Sequence, residues 1–211
     1  MVVHYNRSGG PAAATVAEIR RTGAKAWKIQ ADLADPKQAG RLIGRTARLA
    51  RGPLDILINS ASVFLESRLT DVTAKDLAAN MQVNAMAPLQ LARSFAAQTR
   101  RGDIINFLDC RIGSHAPSRV AYLLSKQVLA RLTEMMALEF APGIRVNAVA
   151  PGLILPPPGM SDGYLKRLKR TNPLERHGSP EDVTEAVLFL LRSPFVTGQV
   201  IYVDGGRHLR P

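Results

Sequence analysis

Tyr122 and Lys126 stand four residues apart in the stretch Tyr122-Leu-Leu-Ser-Lys126. On a helix that spacing puts both side chains on one face, one turn from each other. An ammonium there favours the ionised phenolate, which describes a proton donor closer to neutral pH than a free tyrosine. Just upstream, an apolar run of strand type, Ile104 to Leu108, ends at Asp109. The carboxyl end of a strand is where open α/β sheets place their ligands. Taken alone, the pair also fits a tyrosine on a partly buried helix with a snorkelling lysine. The elements that carry these residues decide between the two readings.

After a loop marked by Gly113 and Pro117, Leu124, Val128, Leu132 and Met135 or Met136 recur at helical spacing. They predict a helix from near Val120 to Pro142-Gly143, with those residues as its buried face. From the amino terminus, Val2 to Tyr5 reads as a short strand and Asn6 to Gly10 as a turn. A helix then runs from Pro11 to a stop at Gly23. Ala24 to Gln30 is a second strand, and Asp35-Pro36 caps a helix ending near Arg51-Gly52. Leu54 to Ile58 reads as a buried strand leading into Asn59-Ser-Ala-Ser62. Thr73 caps a helical region that reaches about Arg100, with a kink at Pro88. Ile144 to Val149 is a further strand, ending in Ala150-Pro151-Gly152. The Pro-rich residues 153–178 read as a flap with a short helix near Tyr164. Ser179-Pro180-Glu181-Asp182 starts a helix, and Gln199 to Val203 is the last strand. Alternating strands and helices predict one α/β domain over residues 1–211, a mainly parallel sheet with helices on both faces.

Composition narrows the class. The 211 residues are 46% hydrophobic and only 5% aromatic, which suits an aliphatic-rich parallel sheet. No run approaches the ~20 apolar residues needed to cross a bilayer, so no membrane span is expected. The single Cys110 rules out an internal disulfide and suits a reducing, cytoplasmic setting. Net charge is +11, with a dense cluster at Lys166-Arg167-Leu-Lys169-Arg170. No aromatic platform accompanies it, so a basic surface favouring anionic cofactors is expected over nucleic acid. His115, His177 and His208 lack metal-ligand spacing, and no metal site is expected.

In this order the motifs resemble the short-chain dehydrogenase/reductase family. Asn59-Ser-Ala-Ser62 is similar to that family's Asn-Asn-Ala-Gly turn, and Asn84 matches its helix asparagine. Tyr122-x-x-x-Lys126, Asn147-x-Val-x-Pro151-Gly152 and Asp204-Gly-Gly206 match its later signatures. Most members place a serine where Asp109 stands. Aspartate there resembles the pterin-reducing branch, the pteridine and dihydromonapterin reductases. So do His4-Tyr-Asn-Arg-Ser8, Asn59-Ser-Ala-Ser-x-Phe64 and Asp204-Gly-Gly-Arg-His-Leu209. The family's first strand and its Thr-Gly-x-x-x-Gly-x-Gly phosphate loop have no counterpart. In the family's strand order the missing strand falls between Val2–Tyr5 and Leu54–Ile58. That predicts unpaired backbone on two interior edges. It also predicts about thirty further residues on the amino side of the natural chain.

The resemblance implies a Rossmann-like fold and an NADPH-dependent reductase acting on a pterin or dihydropterin. It implies a homotetramer as well. Tyr122 or Asp109 would supply the proton, and Lys126 would lower the Tyr122 pKa and hold the nicotinamide ribose. Asn84 would hold a water in a proton relay. Arg7 and Ser8 stand where NAD-preferring enzymes carry an acid, and suit the 2′-phosphate of NADPH. Asp32 and Leu33 would border the adenine, Asn59 and Ala61 the ribose, and Pro151, Gly152 and Leu153 the nicotinamide. Phe64, Asp109 and Tyr122 would line the substrate slot. Two alternatives stay open: a carbonyl reductase of another short-chain type, and a non-catalytic truncated fold.

Overall fold

The computed structural model describes residues 1–114, 118–157, 159–161 and 163–210. His115 and Pro117 lie outside the described residues. Local sequence accounts for most element boundaries. β1 spans Val2–Tyr5, and α1 starts at Gly9, two residues before Pro11, and runs to Arg21. β2 is confined to Trp27–Gln30. Asp35 caps α2 (Pro36–Ala50), its carboxylate accepting the Lys37 N–H at 2.8 Å, with Pro36 at a first-turn position. β3 covers Ile56–Asn59. A reciprocal box between Thr73 and Asp76 opens α3 (Ala74–Met81), and α4 follows at Ala87–Gln98. β4 (Gly102–Phe107), α5 (Val120–Glu139) and β5 (Ile144–Pro151) come next. α6 (Gly163–Leu168), α7 (Pro180–Arg192) and β6 (Val200–Val203) complete the chain.

The helix expected from Thr73 to Arg100 is interrupted, but not by a proline kink. A π-helical turn at Gln82–Met86 separates α3 from α4, and Pro88 sits in the first turn of α4, where a missing N–H costs little. The turn carries Asn84 inward, fully buried.

Every strand pairing is parallel. β1 and β2 form one sheet, and β3-β4-β5-β6 form another. A shared layer bridges them: Ile29, Leu42, Ile43 and Leu91 pack together with Val2 and Leu57 from the two sheets. On the same face Phe95, Met136, Ile104 and Val146 join α4 and α5 to the larger sheet. Across that sheet Val183, Val187 and Leu190 of α7 pack on Ile105 and Val149. This is a Rossmann-like αβα sandwich. Among the described residues no backbone hydrogen bond joins β1 to β3, as the strand order anticipates.

Two burial expectations need correcting. Ile56 and Ile58, read as part of a buried strand, are 48% and 41% exposed, because β3 is an edge strand and that face lacks a covering layer. On α5, Leu124, Val128 and Met135 lie outside. The buried face carries Tyr122, Lys126, Leu129, Thr133 and Met136. Of the apolar series chosen from sequence, Met136 is buried and Leu124 and Val128 are not, because the packed face mixes polar with apolar residues. Leu132 is only partly buried.

Candidate active site

Asp109 follows β4 and caps the short 3₁₀ turn Cys110–Gly113. Its Oδ1 accepts the Arg111 backbone N–H at 2.8 Å and the Arg111 Nε at 3.3 Å. Its Oδ2 accepts the Tyr122 hydroxyl at 3.1 Å. One turn along α5, the buried Lys126 donates from Nζ to the Phe107 carbonyl at 2.7 Å and lies 5.8 Å from the centre of the Tyr122 ring. Burial first, and the Asp109 charge second, push the Tyr122 phenol above its ordinary value. Burial pulls Lys126 down to about 8, against the opposing pull of Asp109. The net direction for the phenol is therefore upward, opposite to that expected from Lys126 alone. The group that meets the hydroxyl is a carboxylate, and the ammonium is spent on a backbone carbonyl.

Asn84 braces this arrangement from beneath. Its Oδ1 accepts the Val63 N–H at 2.9 Å and the Ser62 hydroxyl at 3.1 Å. Its Nδ2 donates to the Val63 carbonyl and to the Ser125 hydroxyl, both at 3.0 Å. Ser125 in turn donates to the Tyr122 carbonyl at 2.6 Å. The buried amide thus ties the segment after β3 to the helix of Tyr122, with its side chain fully engaged. Phe64, in that segment, meets the Tyr122 ring edge-on, centroids 4.6 Å apart at 81°. Two residues absent from the sequence reading complete the cluster. Arg111 is paired with Asp109, and Arg119 lies 3.7 Å above the centre of the Phe64 ring. Arg111 had a legible signal, a cation two residues beyond a strand-end acid. Arg119 had none.

The remaining candidates line up at the carboxyl ends of the parallel strands. Asn59 ends β3, buried, with its Nδ2 donating to Asn106 Oδ1 at 2.9 Å. Ala61 follows it. Pro151 ends β5, and the Gly152 N–H donates to the Val203 carbonyl at 3.0 Å. A Cβ on Gly152 would come within 2.6 Å of the Asp204 Cβ, so a glycine is required there. Leu153 is buried. Arg7, Ser8, Asp32 and Leu33 follow the two strands of the smaller sheet. There the Asn6 side chain donates to Asp32 at 3.2 Å, and Asp32 also holds the Ala34 N–H at 3.0 Å. Arg7 and Ser8 are exposed, and among the described residues the Arg7 guanidinium forms no ion pair. An exposed cation without an acid partner beside a hydroxyl fits an anionic group. Leu33, by contrast, is buried beneath the Gln82 side chain, which donates to its carbonyl at 3.1 Å.

Among the described residues no cluster of three or more His, Cys, Asp or Glu could hold a metal ion. His208 pairs with Asp204 at 2.9 Å. No described helix is long and apolar enough to cross a membrane.

A parallel sheet sandwiched by helices, with a Tyr–Lys pair beside a strand-end acid, defines a class, and comparison agrees. The family model described as Enoyl-(Acyl carrier protein) reductase matches residues 1–208. The chain belongs to the short-chain dehydrogenase/reductase family of oxidoreductases. Among curated relatives, the granaticin polyketide synthase putative ketoacyl reductase 2 of Streptomyces violaceoruber is 34% identical over 196 residues. That match covers 86% of this chain and 76% of that protein. Among solved structures, FolM alternative dihydrofolate reductase 1 from Brucella suis, in complex with NADP, superposes with a TM-score of 0.93. It is 30% identical, covering 100% of this chain and 85% of that one. The Brucella canis counterpart, complexed with NADP, gives 0.91 at 30% identity, with 100% and 84% covered.

Proposed function

We propose that the protein is an NADPH-dependent reductase of a pterin or dihydropterin. The observation that carries this reading is the Tyr122 hydroxyl donating to Asp109, where a carboxylate takes the place of a neutral acceptor. A ketone offers only an acceptor oxygen, whereas a pterin edge also presents N–H donors, which a carboxylate satisfies better. Phe64, edge-on to Tyr122, supplies an aromatic wall for a flat ring. NADPH would be held by Arg7 and Ser8 at the 2′-phosphate and by Asp32 and Leu33 near the adenine. Asn59, Ala61, Lys126 and Pro151 to Leu153 would hold the nicotinamide half. When bound, the cofactor supplies hydride to a ring carbon of a C=N unit. Tyr122, or Asp109 when it carries a proton, delivers that proton to the adjoining nitrogen, Lys126 orients the site, and Asn84 keeps the walls together. The NADP-bound Brucella structures support the cofactor and the substrate class alike. We further propose a cytoplasmic homotetramer.

A second reading, reduction of a β-ketoacyl or other carbonyl substrate, is favoured by the ketoacyl reductase relative. One experiment separates the two. NADPH oxidation is followed with a dihydropterin and, in parallel, with a β-ketoacyl thioester. Turnover of the dihydropterin at a kcat/KM at least about tenfold higher supports the first reading. Turnover of the thioester alone replaces it with the second.

A further inference from the structure

Helix α5 starts without a cap of its own. Its capping residue, Arg119, has a left-handed backbone (φ 61°) and no side-chain hydrogen bond to the first turn. The first amides of a helix need acceptors from somewhere. They come from Ser67. The Val120 N–H donates to the Ser67 carbonyl at 3.2 Å, and the Ala121 N–H to the Ser67 hydroxyl at 3.1 Å.

Arg119 fastens the same segment a second way. Its guanidinium lies over the Phe64 ring, with Nη1 donating to the Phe64 carbonyl at 2.9 Å and Nη2 reaching Glu66 at 3.2 Å. A left-handed backbone is uncommon for arginine, so these contacts offset a local strain. At the other end of the segment, Asn84 holds Val63 by both its N–H and its carbonyl. Residues 63–68 are therefore fixed by a buried brace at the start and by Arg119 and Ser67 at the end. Phe64 stands between them, against Tyr122.

We propose that Arg119 is a positioning residue for substrate affinity, setting the plane of Phe64 and hence the width of the slot above Tyr122. The inference rests on Phe64 being a wall of that slot. Arg119 stacks on a ring and forks to two acceptors at once, which a lysine cannot reproduce. The effect belongs in KM for a flat heterocycle, with the proton donor and the cofactor contacts left in place.

The test uses the full chain with Arg119→Asn and Arg119→Lys. Asparagine tolerates a left-handed backbone, so it removes the guanidinium with the least strain. In Arg119→Asn, KM for dihydropterin should rise about tenfold while kcat stays within about threefold, and KM for NADPH should not move. Arg119→Lys should recover only part of the loss. Amide exchange at Val120 and Ala121 should quicken by roughly tenfold in Arg119→Asn, as the Ser67 cap loosens. In a Phe64→Leu background Arg119→Asn should add little, since it acts through that ring. Fully additive effects, or a fall in kcat at constant KM, would overturn the proposal. If the parent protein leaves dihydropterin untouched, the pterin reading fails by itself. The positioning role is then decided by exchange at Val120 and Ala121, and unchanged exchange overturns it too.

Discussion

The Tyr122 hydroxyl and the Asp109 carboxylate share a hydrogen bond of 3.1 Å, and the far oxygen of Asp109 is held by Arg111. The acid is thereby fixed in orientation and close to the phenolic proton. Leaving substrate N–H donors unpaired in a closed site costs roughly 1–3 kcal/mol. Asp109→Ser should depress dihydropterin turnover by about one to two decades while sparing any activity on ketones. Tyr122→Phe should depress both. Parallel kinetics on the two substrates check this, and pterin reduction within a factor of two of the parent in Asp109→Ser would remove the main support for the assignment.

Arg7 follows β1 with an exposed guanidinium and forms no ion pair among the described residues. Only NADPH carries a 2′-phosphate for it to meet. Arg7→Ala should weaken NADPH by on the order of 1.5–3 kcal/mol and leave NADH almost unaffected. Steady-state kinetics with both cofactors decide the point, and an equal loss for the two would refute the role.

The sequence made the strand–helix alternation and the strand-end positions of Asn59, Asp109 and Pro151 legible, because each rests on local pattern. Asp35, Thr73 and Ser179 start their helices as their residue types imply. What failed depended on tertiary context. The buried face of α5 includes Lys126 and Thr133, which apolar periodicity cannot rank above Leu124 or Val128. The break at Asn84 is a π turn held by Val63 and Ser125, and no proline announces it. The direction of the Tyr122 shift depends on tertiary context too. Spacing reveals the lysine four residues away, but only the fold brings Asp109 to the hydroxyl.

Lys126 is buried and pulled from 10.5 to about 8. In the unfolded chain it keeps its proton up to its ordinary value, so between about 8 and 10.5 the unfolded state binds more protons. Stability from this group is present above the unfolded value and is lost as pH falls toward 8. Raising the pH from 8 toward 10 should therefore stabilise the parent by on the order of 2 kcal/mol relative to Lys126→Met. The raised Tyr122 opposes this only at and above about pH 10, its ordinary value. Urea unfolding of both proteins at the two pH values measures the difference. Parallel pH dependences in parent and variant would show that the lysine is not titrating in this range.

The split sheet predicts a pattern of amide exchange. In β3 the Asp55 carbonyl accepts the Asp103 N–H, so Asp55, Leu57 and Asn59 face β4 and the backbone groups of Ile56 and Ile58 face the opposite edge. In β1 the carbonyls of Met1 and Tyr5 accept from Trp27 and Ala31, which turns the backbone of Val2 and His4 the same way, toward the other side of the opening. Unpaired edge amides exchange through small local fluctuations, whereas amides bonded to a neighbouring strand require larger openings. In the 211-residue chain, Val2, His4, Ile56 and Ile58 should exchange at least about a hundredfold faster than Ile105 and the buried Ala148, whose N–H donates to the Gln199 carbonyl at 2.8 Å. Ile56 and Ile58 are also half-exposed at their side chains, so neither packing nor pairing protects them. Exchange resolved residue by residue settles the matter. Protection at Ile56 and Ile58 equal to that at Ile105 would mean that this edge is paired in solution by another strand.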